Sequence, residues 1–355
     1  MKNNKLNALE AINQAQILTF YPIVFQAVIA SKRLGILEFL NNNKGYHSVV
    51  EISQEISISE YGVKLLLDML SKVNVVIRDE KDDFTIGLVG FFLINDKQTA
   101  INLDFVQDVC YKGAFHLTES IEKQKPIGLQ ELGSWETIYE GLLDLPSDVS
   151  KSWFNFDHFY SDAIFKDAME IVLSSAPKKI MDIGGNTGKF ALELCKHDQT
   201  IEITIVDLKN QLLTAEKRID ANNFSGRVTF FEQDMLSKDI TLPQKNEIIW
   251  MSQFLDCFSE FQIEDILNNI TKVMDKNTRV LIVETFWDNQ KFDAAEHCLL
   301  GTSLYFTCIA NGNSRMYSEK DFKAIISKTQ LQITNQYTVG EYHTLLELKL
   351  KDTDE

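Results

Sequence analysis

The chain has 355 residues with 35 basic and 51 acidic side chains, a formal net charge of −16 at pH 7. That length suits two domains of ordinary size, and a composition of 45% hydrophobic and 24% charged residues excludes a disordered chain. The acidic balance, with no run of Lys and Arg, counts against a protein that grips nucleic acid or an anionic membrane.

The cysteines (Cys110, Cys195, Cys257, Cys298 and Cys308) are odd in number and scattered, and no CxxC pair occurs. Neither a zinc site nor a disulfide framework is expected, and a reducing compartment fits. The start, Met1-Lys2-Asn3-Asn4-Lys5, runs into polar sequence without the apolar core of a secretory signal, so a cytoplasmic protein is expected.

From Leu6 to about Phe165 the sequence reads mainly as helices. The charge-free stretch Ala11–Ser31 contains Asn13, Gln14, Gln16, Thr19, Pro22 and Gln26, too polar for a comfortable membrane span. A helix buried in a core or in a dimer interface is expected instead. Ser48–Ile56 reads as a capped short helix, and Ser57 or Ser59 caps a second one. That second helix spaces Val63, Leu66, Leu67 and Leu70 along one apolar face. Two strand-like pieces follow, Val73–Asp79 and Phe84–Leu88, across the charged turn Glu80–Asp83. Helix, turn, helix and a two-stranded wing make a winged-helix pattern. Its recognition-helix equivalent, Glu60–Val73, offers only Lys64 and Lys72 against Glu60 and Asp68, so packing or dimerisation is expected over DNA reading.

After Pro177 the pattern changes to alternating strands and helices. Lys179–Ile183, Ile201–Asp207, Val228–Glu232, Glu247–Met251 and Arg279–Glu284 read as strands. Thr187–Lys196, Gln211–Ala221, Ile263–Val273 and Ser318–Gln330 read as helices, with Leu331–Thr338 and His343–Leu350 as closing strands. Such βα units predict an α/β, mostly parallel, Rossmann-like sheet covered on both faces. The expected division is a helical domain over residues 1–165 and the α/β domain over 166–355.

The most informative segment is Asp182-Ile183-Gly184-Gly185-Asn186-Thr187-Gly188, a glycine-rich turn between a buried strand and a helix. Glycine serves where backbone takes positive φ or lies against a ligand, and the following helix N-terminus offers free N–H groups. The next strand ends at Asp207, roughly 20 residues past the loop, where a carboxylate can take both ribose hydroxyls of a nucleoside. Dinucleotide binding shares this layout. The absence of GxGxxG, and Asp234 with Met235 after the third strand, favour S-adenosylmethionine.

With these motifs in view, the chain resembles the class I S-adenosylmethionine-dependent O-methyltransferases of the plant caffeate and bacterial small-molecule type. The resemblance spans nearly the whole chain. It takes in Gly226-Arg227-Val228-Thr229-Phe230, the Phe154–Ser161 helix and Leu132–Thr137. It implies a winged-helix-like dimerisation and substrate-lid domain, a homodimer and a seven-stranded sheet. It implies cofactor contacts from Asp182, Gly184, Gly185, Gly188, Asp207, Leu208, Asp234, Met235, Ser252, Gln253 and Ser161. The junction helix, with His158 and Tyr160, would line the substrate pocket, helped by Trp287 and Tyr305. No metal is expected.

The chain departs from that family at the general base. The family's Leu-His-Asp-Trp segment reads Leu255-Asp256-Cys257-Phe258 here, so Asp256 stands where His should be. Glu284, the supporting carboxylate, is kept, and Met316 stands where a second one would be. An aspartate of ordinary pKa is a poor base for a phenol, unless burial and a neighbouring carboxylate raise it. The alternative is that Asp256 caps a helix or is solvated, since Ser259-Glu260 also begins a helix nearby. His116, His158 and His297 are the other histidines considered. The leading reading is O-methylation of a hydroxylated aromatic or polyketide-like small molecule. The alternatives are C- or N-methylation or non-methylating chemistry on the same fold, and a cofactor-sensing winged-helix regulator.

Overall fold

The computed structural model describes residues 6–352, and the reading of Met1–Lys5 lies outside them. The chain divides into two compact units, Met1–Gln107 and Asp108–Glu355.

The first unit opens with α1 (Ala8–Arg33), started by an Asn7–Glu10 capping box. Then come α2 (Ile36–Asn42), α3 (Val49–Ile56) and α4 (Glu60–Lys72), the last two capped by Ser48 and Ser59. β1 (Val76–Arg78) pairs antiparallel with β2 (Phe84–Ile86), and α5 (Leu88–Asn95) and α6 (Lys97–Phe105) follow. The predicted helix–turn–helix and wing are present, with shorter strands. The Leu70 carbonyl takes the N–H groups of both Val73 and Val75, and Asn74 turns to φ +58°, so pairing starts only at Val76. Val63, Leu67 and Leu70 meet Ile36, Leu37, Leu40, Ile52 and Phe84 in one core. On α4, Lys64 is paired with Asp68 at 3.4 Å, which further lowers the positive character of that helix.

Of the two expectations for α1, burial in a core or in a dimer interface, burial in the core of this chain does not hold. Only Val28, Ile29 and Ser31 are buried on it. Leu9, Ile12, Ile17, Leu18, Phe20, Tyr21 and Ile23 are 52–69% exposed. By length and composition alone, α1 is also long and apolar enough to cross a bilayer.

In the second unit α7 (Leu117–Lys123), α8 (Ile138–Gly141), α9 (Ser147–Asp162) and α10 (Phe165–Leu173) precede the sheet. The sheet region runs β3 (Lys179–Ile183), α11 (Lys189–His197), β4 (Glu202–Asp207), α12 (Lys209–Ala221), β5 (Val228–Glu232) and β6 (Ile248–Ser252). It continues with α13 (Glu260–Thr271), β7 (Arg279–Glu284), α14 (Asp293–Tyr305), α15 (Glu319–Ser327), β8 (Leu331–Val339) and β9 (His343–Leu350). Strand order is β5-β4-β3-β6-β7-β9-β8. The first five are parallel, while β9 is antiparallel to both β7 and β8. The fold is therefore the expected α/β with a mainly parallel, seven-stranded sheet.

Alternation along the strands sends side chains to two cores. Ile180, Ile203, Ile205 and Trp250 face one, and Met181, Ile183, Val206 and Met251 face the other. Phe190 of α11 stacks on Trp250 with ring centroids 4.4 Å apart. By compactness the helices of residues 108–173 go with the sheet, so the division between units falls at residues 107/108, upstream of the change of sequence pattern near residue 165.

Candidate functional site

In an open parallel sheet, ligands bind past the carboxyl ends of the strands, where the order of connections reverses. Here that place lies between β3 and β6. Ile183 is level with Met251 on one side and Val206 on the other. The loops leaving β3 and β6 therefore start side by side, flanked by the ends of β4 at Asp207 and β7 at Glu284.

The glycine loop takes left-handed backbone at Gly184 (φ +75°), Asn186 (φ +47°) and Gly188 (φ +71°), and α11 starts directly after it. A Cβ at Gly184 would run into the Phe254 ring, and one at Gly185 would lie 2.8 Å from Asp182 Oδ2. Asp207 ties the loop to β4: Oδ2 accepts the Asn186 N–H at 2.8 Å and Oδ1 accepts the Leu208 N–H at 2.7 Å. Burial pushes the Asp207 carboxyl up to about 6 against the pull of these two donors. Asp182 is 3% exposed and its Oδ2 has no hydrogen-bond partner. Burial, and then the Asp207 charge, push Asp182 up to about 7.

On the flank of β5, Asp234 is exposed and its Oδ1 accepts the Leu236 N–H at 2.8 Å, while Met235 is buried. On the flank of β6, Ser252 Oγ and Gln253 Nε2 are buried without hydrogen-bond partners. Gln253 adopts φ +48°, and its N–H donates to the Val283 carbonyl at 2.8 Å. Ser161 lies half-buried near the C-terminal end of α9.

The turn after β6 carries the buried acid Asp256, and Glu284 enters the same neighbourhood from β7. Glu284 Oε1 accepts the Leu255 N–H at 2.9 Å, while its Oε2 has no hydrogen-bond partner. Burial raises both carboxyls. Glu284 goes well above the usual range, pushed further by the Asp256 charge, and Asp256 goes to about 6. The Cys257 thiol is held protonated by burial and by the Asp256 charge, and it lies 3.5 Å from Asp256 Oδ1. Asp256 is neither a helix cap nor solvated: Ser259 caps α13 in a capping box with Gln262, and Asp256 is 7% exposed.

Tyr305 is buried, and its hydroxyl accepts the Trp153 indole N–H at 2.8 Å. Its phenol is raised by burial and then by the charges of Cys110, Cys257 and Asp157, against the Trp153 hydrogen bond. His158 is kept neutral, its imidazole pushed down to about 4 by burial and the nearby Lys189 charge. Tyr160 packs its ring 6.2 Å from that of Tyr342, and Trp287 is half-buried with its backbone N–H donating to Tyr317 at 3.3 Å. His116 pairs with Glu131 at 3.0 Å and His297 is exposed on α14, so neither joins the group. Met316 is buried, its N–H donating to Ser303 Oγ at 3.1 Å.

Two residues that sequence reasoning did not single out also stand here. The hydroxyl of Tyr139, a half-buried residue of α8, is buried beside the Cys257 thiol, and Asp157 of α9 accepts the Asn186 side-chain amide at 3.1 Å. No sequence signal marks Tyr139; Asp157 was hidden as one acid in an amphipathic helix. Among the described residues no group of His, Cys, Asp and Glu is arranged to hold a metal ion.

The sheet order, the glycine loop after β3 and the acidic end of β4 at Asp207 are those of a class I S-adenosylmethionine-dependent methyltransferase. Residues 158–331 match the O-methyltransferase domain family, and residues 13–84 match the Dimerisation2-like domain. The chain belongs with the O-methyltransferase-domain enzymes, which use S-adenosylmethionine as methyl donor. It is similar to the L-tyrosine C(3)-methyltransferase of Streptomyces lavendulae, 22% identical over 88% of this chain and 84% of that enzyme. It is 28% identical to the 3-hydroxy-5-methyl-1-naphthoate 3-O-methyltransferase of Streptomyces sahachiroi over 37% of each chain. In fold it resembles the mitomycin 7-O-methyltransferase (TM-score 0.71, 16% identity, 96% of this chain and 98% of that one). A neocarzinostatin-biosynthesis O-methyltransferase solved with S-adenosylmethionine and 2-hydroxy-5-methyl naphthoic acid is also similar (TM-score 0.65, 18% identity, 92% and 95% covered).

Proposed function

We propose that this methyltransferase acts on a hydroxyl of an aromatic or polyketide-like small molecule, with Asp256 as proton acceptor. The observation that carries this reading is the buried Asp256–Glu284 pair. Both carboxyls are raised by burial and the two titrate as a pair, so Asp256 is a stronger proton acceptor than an ordinary aspartate, while Glu284 holds the turn through the Leu255 N–H. A phenol of pKa about 10 meets a base some four units weaker, a gap narrowed from about six for an ordinary aspartate. Trp153, Tyr305 and Tyr139 supply apolar walls and polar tips suited to a flat hydroxylated ring.

S-adenosylmethionine supplies an electrophilic methyl group on a cationic sulfur. Asp207 would take its ribose hydroxyls, with Leu208 beside it, and Asp234 and Met235 its adenine. Gly184, Gly185 and Gly188, with Asp182, would lie along its amino-acid end, and Ser161 near its methionine end. Ser252 and Gln253 would close on the adenosine part. The fit rests on orphaned polar atoms of Asp182, Ser252 and Gln253 around the glycine loop, and on the negative field of Asp182 and Asp207, which suits a cation. His158, Tyr160 and Trp287 would line the acceptor side.

Residues 1–165 would serve as dimerisation and lid domain and 166–355 as the catalytic domain. The exposed apolar residues of α1, within the Dimerisation2-like match, support a homodimer of a small-molecule enzyme. Five free cysteines fit the reducing cytoplasm.

A second reading, C-methylation, is favoured by the tyrosine C(3)-methyltransferase relative. A deprotonated phenol is nucleophilic at oxygen and at its ortho carbon, so one base serves both. The test is incubation with S-adenosylmethionine and a panel of phenols, following S-adenosylhomocysteine release and assigning the product by NMR. An O-methyl resonance supports the first reading and an aryl-methyl resonance the second. Cofactor binding without turnover of any phenol overturns both.

A further inference from the structure

We propose that Asp157 is a cosubstrate-positioning residue, its carboxylate fixed against Asn186 of the glycine loop to receive the ammonium of the methionine moiety. The proposal rests on reading the loop as the cosubstrate site.

Asn186 stands between two carboxylates. Its backbone N–H donates to Asp207 Oδ2 at 2.8 Å and its side-chain amide donates to Asp157 Oδ2 at 3.1 Å. The left-handed backbone of Asn186 makes this double engagement possible, since it turns the side chain and the N–H toward different elements. Asp157 is thereby anchored from α9 onto the loop, and a carboxylate so anchored keeps acceptor capacity for further donors.

The surroundings of Asp157 call for a cation. Lys189, whose charge acts on Asp157, is engaged by Asp162 at 2.6 Å. Asp157 itself meets a neutral amide and, 3.9 Å away, the Nε2 of an imidazole that burial keeps neutral. The Asp157 side chain is 31% exposed, so partial burial, and then the charge of Asp162, raise its carboxyl above the usual range, with Lys189 opposing and Asp256 adding to the rise. The amino-acid end of the cosubstrate carries an ammonium and a carboxylate. The field of Asp157, Asp162 and Asp256 attracts the first and repels the second, which orients that end.

The experiment compares S-adenosylhomocysteine with 5′-methylthioadenosine, which lacks the amino-acid end, by titration calorimetry at pH 8. Asp157→Asn is expected to weaken S-adenosylhomocysteine about tenfold or more, as for loss of a charge-assisted hydrogen bond, and to leave methylthioadenosine within about twofold. Asp157→Glu keeps the charge and is expected to retain the preference for S-adenosylhomocysteine. Equal weakening of both ligands by Asp157→Asn means that Asp157 only shapes the loop, and this overturns the proposal. So does no change for either ligand. Asp207→Ala tests the underlying reading separately: it weakens both ligands if the loop is the cosubstrate site, and an unchanged affinity for both removes that reading and the proposal with it.

Discussion

Glu284 Oε1 accepts the backbone N–H of Leu255 at 2.9 Å, a bond that runs from the last residue of β7 to the turn after β6. Asp256 is the next residue of that turn, so one buried acid fixes the backbone that presents the other. Burial and then the Asp256 charge raise the Glu284 carboxyl well above the usual range, against the pull of backbone donors from the turn. The two acids titrate as a pair, and the one on the turn gains basicity from the arrangement.

Asp256→Asn should lower kcat by about 10²–10⁴, the usual worth of a positioned base, with cosubstrate affinity retained. In the native enzyme Asp256 must be ionised, so kcat should fall as pH drops through about 6. Cys257→Ala removes the thiol beside Asp256 Oδ1 that favours its charged form. The acid limb should then move to higher pH. Rates at saturating substrate across pH 5–8.5 check both effects, and full activity in the Asn variant would rule out the base.

Gly184→Ala meets two penalties at once, a left-handed φ of +75° and the Phe254 ring. We expect a loss of roughly 1–3 kcal/mol in urea unfolding. Adding Phe254→Ala should not rescue it fully, because the backbone penalty remains. A fully rescued double variant would show that the ring contact is the whole cost.

His343 is 2% exposed, and neither ring nitrogen has a hydrogen-bond partner. Burial depresses its pKa from 6.5 to about 4. Between those values the unfolded chain binds a proton that the folded chain refuses, so this residue's contribution to stability is lost as pH falls from 6.5 toward 4. The loss amounts to about 3 kcal/mol. Asp157, Asp182, Asp207 and Asp256 work in the opposite sense, because their raised carboxyls bind protons first in the folded state. The informative quantity is therefore a difference. Relative to the native protein, His343→Leu should gain stability steadily from pH 7 to 4.5, and a pH-independent difference would exclude the effect.

On α1, Leu18 and Ile23 are 64% and 67% exposed. Replacing both with Asp should turn a dimer into a monomer on light scattering coupled to gel filtration, with little change in the melting of the sheet unit. A dimer that survives the double substitution would place the interface elsewhere.

Much of this molecule was legible in its sequence. The strands Lys179–Ile183, Val228–Glu232, Arg279–Glu284 and His343–Leu350 fall where β-branched runs end at turns or charges. The glycine loop and Asp207 were visible because positive φ and strand-end acids leave local marks. The wing strands came out shorter than read, since Asn74 and Gly87 spend residues on a turn and a helix cap that apolar content does not reveal. The burial of Asp256 was left open because burial comes from distant segments. Asn311 Nδ2, for instance, donates to the Cys257 carbonyl at 2.8 Å. Tyr139 and Asp157 depend wholly on such long-range placement.

Burial raises the carboxyl of Asp182 to about 7, and that of Asp157 shifts in the same direction, so both are drawn toward the protonated form in the folded chain. A count of −16 therefore overstates the charge that the folded chain carries. A cationic ligand arriving beside them would draw both toward the carboxylate form and expel protons to the medium. Association would then release acid, and its calorimetric heat would follow the ionisation enthalpy of the buffer. The same enzyme in phosphate and in Tris would thus register different binding enthalpies for one and the same contact.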